Sequence, residues 1–178
     1  MEAEDDVPAR VFEGLFIGGE LRLDPAFLED LAAIGYELER PLKAYPATVW
    51  REALRVARRH VHPELSEAEG FRALGRRFAR GFGRTAIGRV LRAVAPLFGV
   101  DRTLLSVPRY LHTVRRDMRV ELQAIGVNRY RLAASDPHPN PDFIAGCMLG
   151  ILEVFSIEGV ALITVDEPGR FELELSWG

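Results

Sequence analysis

The chain has 178 residues, of which 48% are hydrophobic and 28% are charged, and its formal net charge is −3. This length predicts one compact domain, and the hydrophobic content excludes bulk disorder. The single cysteine, Cys147, excludes an intrachain disulfide and favours a reducing compartment. The N-terminus is acidic, and no apolar run reaches the ~18 residues of a membrane span. We therefore expect a cytoplasmic domain without a membrane partner.

The first part of the chain combines an acidic start with helical signals. Residues 1–8 are predicted to form an acidic flexible tail, and the apolar run Val11–Ile17 a strand or an extended segment. Asp24 followed by Pro25 predicts a helix start, and Gly35 its end. Further helices are expected after Tyr45–Pro46, after the capping box Ser66–Glu69, over Ile87–Leu97, from Asp101 and after Pro108.

The last third of the chain changes to a period of two. Apolar and polar residues alternate on both sides of Gly126–Asn128, which predicts a hairpin. Asn140 and Pro141 begin an almost uncharged helix, and two further strands follow at Val160–Val165 and Phe171–Trp177. Because strands are grouped after helices, the fold class predicted is α+β.

The predicted architecture is a helical lobe packed on a C-terminal four-stranded antiparallel sheet crossed by one helix. The helical lobe covers about residues 20–116 and the sheet lobe about 117–178, within a single domain at 9–178. Sixty residues of sheet and helix would be marginally stable alone, so the lobes are expected to share a core.

The charges are segregated along the chain. Residues 1–39 hold 11 acidic and 2 basic residues, residues 40–119 hold 18 basic and 6 acidic, and residues 120–178 hold 9 acidic and 3 basic. This pattern predicts either internal pairing of the basic centre with the acidic flanks, or an acidic protein partner or anionic ligand. A net-acidic chain without a recognisable reading module does not favour nucleic acid.

The arginines of one predicted helix are the first candidate site. Arg76, Arg80 and Arg84 recur every four residues and form one ridge, with Arg77 beside it. We expect these four residues to bind a ligand or a partner. Since Arg77 lies next to Phe78 on the core side, it is expected to be the most structural of the four.

Short motifs in the helical part carry a resemblance to a known family. These motifs are Tyr45–Trp50 (YPATVW), Leu74–Phe78 (LGRRF), Gly81–Phe82, Thr85–Gly88 (TAIG) and Arg102–Leu104 (RTL). Together they resemble a paralogous family of unknown function that is expanded in myxobacteria. The resemblance covers about residues 10–178 and implies a fold and a lineage without an activity.

The C-terminal part is also similar to two kinds of small-ligand domain. Over residues 108–178 the order is helix, hairpin, a helix carrying Ala145–Gly150, and a second hairpin that ends in Trp177. This order is similar to the haem nitric-oxide-binding domain and to the vinyl-reductase-type small-ligand domain. The similarity implies an apolar pocket between the lobes.

The haem version of that domain also implies particular residues. His112 could occupy the position of the iron ligand, and Ser135 that of the serine in the Tyr-x-Ser-x-Arg motif that holds the propionates. Ala133 and Pro137 then replace the tyrosine and the arginine of that motif. We therefore expect no haem and no other cofactor, and keep His112 as a candidate ligand-binding residue.

Metal and catalytic motifs give little support to an enzyme. His60, His62 and Glu64 are possible zinc or iron ligands, but histidines also favour a helix C-terminus, and we expect no metal. Cys147 lies in the most apolar helix and is predicted to be a buried, inert thiol. Glu172 and Glu174 share one face of a strand, which is typical of a solvated sheet face.

The function predicted is a non-enzymatic ligand-sensing or protein-interaction module. Its partner is expected to be an acidic protein or a small anionic or apolar ligand, and a homodimer is left open. The alternative is an enzyme that acts on a small apolar or anionic substrate in the pocket between the lobes.

Overall fold

The computed structural model describes residues 6–82 and 99–178. In chain order the elements are β1 (Asp6–Pro8), α1 (Ala9–Glu13), a π-helical turn (Gly14–Gly18), α2 (Pro25–Ala33), β2 (Ala44–Pro46), α3 (Ala47–Val61), α4 (Glu67–Phe82), α5 (99–105), α6 (Val107–Val114), β3 (Arg119–Gly126), β4 (Arg129–Ser135), α7 (Pro141–Val154), β5 (Gly159–Glu167) and β6 (Arg170–Trp177). The helix expected over Ile87–Leu97 lies outside the described residues.

The N-terminus differs from the predicted tail. Asp6–Pro8 form β1, which pairs antiparallel with β2 so that Val7 lies opposite Tyr45. Val7 is fully buried. The predicted tail boundary at residue 8 is therefore wrong, because backbone pairing and burial of one side chain hold these three residues in place.

The strand predicted at Val11–Ile17 is also wrong, since this run is helical. Phe12, Leu15 and Phe16 are buried at helical spacing. The Phe12 ring stacks on Tyr36 at 4.7 Å and meets Trp50 edge-on at 5.0 Å. An apolar run of this length suits a buried strand and a buried helix equally, so periodicity could not separate them.

The helix starts predicted at Asp24 and Ser66 are confirmed, whereas the start predicted at Asp101 is wrong because residues 99 and 100 are already helical. Asp24 accepts a hydrogen bond from the Phe27 N–H at 2.9 Å, with Pro25 in the first turn. Ser66 and Glu69 form the expected reciprocal capping box, each backbone N–H donating to the other's side chain at 3.3 Å.

The C-terminal sheet is confirmed as four-stranded and antiparallel, in the order β3-β4-β6-β5. The inner face of β6 carries Phe171, Leu173 and Leu175, which are fully buried under α7. Trp177 continues that face half-buried and stacks on Tyr130 at 5.7 Å. The α+β fold class predicted from the sequence is therefore correct.

Glycines bring α4 and α7 into close contact. A Cβ on Gly75 would overlap the Phe143 carbonyl oxygen, and one on Gly146 would overlap the Arg72 carbonyl oxygen. On its other side α7 packs on the sheet, where Leu152 is fully buried. Helix α7 therefore joins the helical lobe to the sheet, and its position shapes the space between them. Within the described residues, no helix has the length and apolar character needed to cross a membrane.

Candidate functional site

A cavity of about 840 Å³ lies among α3, α4, α6 and α7 and is closed at one side by the loop 136–140. Its apolar lining includes Trp50, Leu54, Leu111, Ile144, Met148 and Ile151. This volume is within the range of about 300–1,000 Å³ that holds drug-sized ligands. The apolar pocket implied by the resemblance to small-ligand domains is thus present.

Arginine side chains line part of the cavity, and they differ in whether a carboxylate lies nearby. Arg55 pairs with Glu52 on its own helix at 2.5 Å, and Arg80 lies 3.8 Å from Glu153. Arg51 also lines the cavity, and its Nε atom is buried without a hydrogen-bond partner among the described residues. A buried donor without a partner costs free energy, so this group needs either water or a ligand.

A buried ion cluster lies where α6 meets the sheet. Arg115 donates two hydrogen bonds to the Asp117 carboxylate and one to Asp136, each at 2.8 Å. All three side chains are at most 12% exposed. Burial acts to lower the pKa of Arg115, but the hydrogen bonds and charges of the two carboxylates outweigh it and raise that pKa. Arg115 therefore stays charged, and its hydrogen bonds fix the wall of the cavity at Arg115 and Asp136.

Two protonated groups line the cavity. Burial raises the pKa of the Cys147 thiol well above its ordinary value of 9.0. Burial likewise raises the pKa of the Tyr110 hydroxyl above 10.0. Because the thiolate is the reactive form of cysteine, Cys147 is held in its unreactive form, although its side chain is partly rather than fully buried.

The residues taken from the haem motif do not meet at the cavity. His112 is exposed and is not among the lining residues. Ser135 is exposed at the end of β4, whereas Pro137 lines the cavity. The histidine that lines the cavity is His138, whose backbone N–H donates to Asp136 at 2.9 Å.

The predicted arginine ridge is brought together, apart from Arg84, which lies outside the described residues. Arg76 and Arg80 lie 3.6 and 3.8 Å from the two carboxylate oxygens of Glu153. Arg77 instead donates to the carbonyl oxygens of Gly19 at 2.6 Å and Glu20 at 3.0 Å. The carboxylate contact comes from the acidic C-terminal flank, whereas these two bonds of Arg77 go to backbone carbonyls of the N-terminal segment.

A smaller cleft of about 360 Å³ lies beside this ridge and is lined by Arg76, Arg77, Arg80 and His62. Burial lowers the pKa of His62, and Arg77 adds to that effect, while Glu64 opposes it. The imidazole is therefore predominantly neutral at pH 7.

The histidines of the possible metal motif make separate contacts. His60 Nε2 lies 2.8 Å from Asp30 Oδ2, and its ring stacks on Phe27 at 4.6 Å. His62 Nδ1 lies 3.8 Å from Glu64. In the part of the chain that the structure describes, no three His, Cys, Asp or Glu side chains gather as metal ligands.

Sequence reasoning missed Arg51 and the ion cluster around Arg115. Arg51 directly follows the buried Trp50 on α3, so helical geometry could have placed it at the edge of the apolar stripe. Asp136 begins a proline-rich loop and gives no periodic signal. Its partner Arg115, which also binds Asp117, lies about 20 residues earlier in the chain.

Comparison with solved structures repeatedly finds the fold of H-NOX domains. An H-NOX point mutant from T. tengcongensis has 13% identity and a TM-score of 0.70, covering 95% of this chain and 96% of that chain. An oxygen-binding H-NOX domain related to soluble guanylate cyclases has 14% identity and a TM-score of 0.67, covering 94% and 89%. A structure of a protein that modulates the haem redox potential by distorting the porphyrin has 13% identity and a TM-score of 0.65, covering 94% of each chain.

These neighbours correct the expectation that the chain takes no cofactor. That expectation depended on the two motif residues replaced by Ala133 and Pro137, whereas nearly the whole chain shares the fold of structures described by their haem. It is therefore wrong to exclude a cofactor on those two positions. The cavity suits such a group in volume and apolar lining, but the exposed His112 does not suit the role of its iron ligand.

Sequence comparison gives the family. No curated protein matches this chain. A family model matches residues 6–178, which is nearly the whole chain and agrees with the resemblance found in the helical motifs. The chain belongs to the family described as protein of unknown function DUF2378.

Proposed function

We propose that this chain is a non-enzymatic sensor module that binds a small, largely apolar ligand in the cavity among α3, α4, α6 and α7. The observation that carries the proposal is the cavity itself, with its volume of about 840 Å³ and its apolar lining. The fold shared with H-NOX domains, one of them described as oxygen-binding, supports a small-ligand role. Haem is the first natural ligand to test.

The chemistry of the cavity supports binding more than catalysis. The one thiol in its wall, Cys147, keeps its proton because burial raises its pKa. The Asp136 carboxylate accepts hydrogen bonds from Arg115 and from the His138 N–H, which hold it in the buried ion cluster. Among the described lining residues, no nucleophile lies beside a free base, which a covalent mechanism would require.

The position of the cavity offers a way to transmit binding. Its walls include α6, which leads through Arg115 into β3, and α7, which packs on both α4 and the sheet. A ligand that contacts both helices favours the arrangement in which they fit it best. A protein partner that contacts the exposed part of the arginine ridge would then bind differently to the ligand-bound arrangement of the helices.

The proposal is tested by titration with two ligands. The neutral fluorophore N-phenyl-1-naphthylamine reports binding to an apolar site, and haem reports binding by its Soret band. We expect saturable binding of the fluorophore, and we expect Ile151→Trp, which fills the cavity, to weaken it at least about tenfold. Leu162→Trp, at a β5 position that is 61% exposed, is the matched control and should bind as the wild type does.

Two results would overturn the proposal. One is the absence of saturable binding of either ligand to the wild-type protein. The other is equal binding by the Ile151→Trp and wild-type proteins, which would place the ligand outside this cavity.

A further inference from the structure

Arg51 is the charged cavity residue whose charge is not compensated within the described part of the chain. The other cavity-lining arginines each have a carboxylate nearby: Arg55 has Glu52, Arg80 has Glu153, and Arg115 has Asp117 and Asp136. No such pair is made by Arg51 with the described residues, and its Nε atom is buried without a hydrogen-bond partner there. Arg51 therefore lines the cavity without a carboxylate partner among the described residues.

The segment at residues 83–98 does not supply the missing carboxylate. It contains three arginines and no aspartate or glutamate. A buried guanidinium N–H without a partner is destabilising, and a ligand that accepts a hydrogen bond from it removes that cost. A carboxylate or sulfonate matches the guanidinium in charge and in geometry.

We propose that the ligand of this cavity is an amphipathic organic anion, with an apolar body among the helices and a single anionic group bound by Arg51. This inference rests on the proposed function, because it names the ligand class of the same cavity. The apolar body occupies the space lined by Leu54, Met148 and Ile151, and the anion is held at the Arg51 side of α3. Selectivity for anionic over neutral ligands then depends on one side chain.

Two fluorophores that differ in one group test this assignment directly. 8-Anilinonaphthalene-1-sulfonate carries a sulfonate that N-phenyl-1-naphthylamine lacks. We expect Arg51→Gln to weaken binding of the sulfonate at least about tenfold, since it removes a charge-assisted hydrogen bond, and to leave binding of the neutral fluorophore unchanged. Arg51→Lys, which keeps the charge and loses the planar fork, should restore part of the sulfonate affinity.

The matched control is Arg59→Gln, on the same helix. Arg59 is 58% exposed and does not line the cavity, and it carries the same charge as Arg51. Its replacement should leave the affinity for both fluorophores as in the wild type. If Arg59→Gln weakens the sulfonate as much as Arg51→Gln does, general surface charge explains the binding and the assignment is wrong.

A ligand-free measurement gives a second test. If Arg51 serves a ligand rather than the fold, the melting temperature of Arg51→Gln should equal or exceed that of the wild type. A lower melting temperature would make Arg51 a structural residue and overturn the inference. Saturable binding of the neutral fluorophore with no effect of Arg51→Gln on the sulfonate would overturn it while leaving the proposed function intact. Failure of both fluorophores to bind the wild type would overturn the inference, and failure of haem to bind as well would overturn the proposed function.

Discussion

Replacing Arg77 with alanine should destabilise the fold more than replacing Arg80, three residues further along the same helix. The Arg77 guanidinium donates to the carbonyl oxygens of Gly19 and Glu20, and so ties α4 to the end of the π-helical turn. Arg80 lies 3.8 Å from Glu153, and its side chain is 59% exposed. The two arginines therefore have the same charge but unequal structural roles.

The contacts set the size of the difference. A charge-assisted hydrogen bond to a half-buried carbonyl contributes about 1.5 kcal/mol, and the second, exposed bond adds less, so Arg77→Ala should cost about 2 kcal/mol. An exposed ion pair contributes about 0–1 kcal/mol, which bounds the cost of Arg80→Ala. At about 2–4 °C per kcal/mol for a chain of this length, the melting temperature should fall by about 4–8 °C for Arg77→Ala and by less than about 4 °C for Arg80→Ala.

Thermal melts followed by circular dichroism, with both variants side by side, measure this difference. Repeating them at high salt should shrink the effect of Arg80→Ala, because exposed charges are screened. Arg77→Lys should fall between the wild type and Arg77→Ala, since it keeps the charge but cannot reach two carbonyls with a planar fork. Equal losses, or a larger loss for Arg80→Ala, would refute the reasoning.

Local signals in the sequence predicted much of the fold. Asp24 and Asn140 each precede a proline, and each accepts a hydrogen bond from the backbone N–H three residues later, as the cap prediction requires. The alternation at Phe171, Leu173 and Leu175 predicted the inner face of β6 because side chains of a strand alternate between its two faces. These features depend on residues within a few positions of one another.

The N-terminus could not be predicted in the same way, because its structure depends on distant partners. Asp6–Pro8 become a strand only by pairing with β2, some 40 residues away. Phe12 belongs to an aromatic cluster with Tyr36, Tyr45 and Trp50, and that cluster is assembled by tertiary packing. No local pattern specifies which apolar runs will meet.

The candidate site was predicted only in part for the same reason. A pocket between the lobes followed from a resemblance in element order, but its walls come from helices that lie far apart in the chain, from α3 to α7. Residue-by-residue transfer placed His112 at the ligand position, whereas the structure exposes it. The charge segregation predicted internal pairing of the arginines with the acidic flanks as one alternative, and Arg76 and Arg80 do lie beside Glu153. That segregation could not show that Arg51 lines the cavity without a carboxylate partner among the described residues.

Three further predictions concern the core. Leu173→Asp should prevent folding because it buries an unpaired charge. Leu162→Asp, at an exposed position of β5, is the control and should melt as the wild type does. A soluble Leu173→Asp protein with wild-type melting would contradict the burial of Leu173. Gly146→Ala should lower the melting temperature because the added methyl group overlaps the α4 backbone, and the free energy of unfolding should fall by about 1–3 kcal/mol. This fall is expected although alanine stabilises an isolated helix more than glycine does. A stabilised variant would contradict the close approach of α4 and α7. The third prediction follows from the pKa of Cys147, which burial raises above its ordinary value of 9.0. Above pH 9 the unfolded thiol loses its proton and the folded one keeps it, so the free energy of unfolding falls by about 1.4 kcal/mol per pH unit from this group. Urea unfolding at pH 8 and pH 10 should show that fall in the wild type and a smaller one in Cys147→Ala, because the tyrosines contribute equally to both proteins; an identical pH dependence would mean that the thiol is hydrated in the folded state.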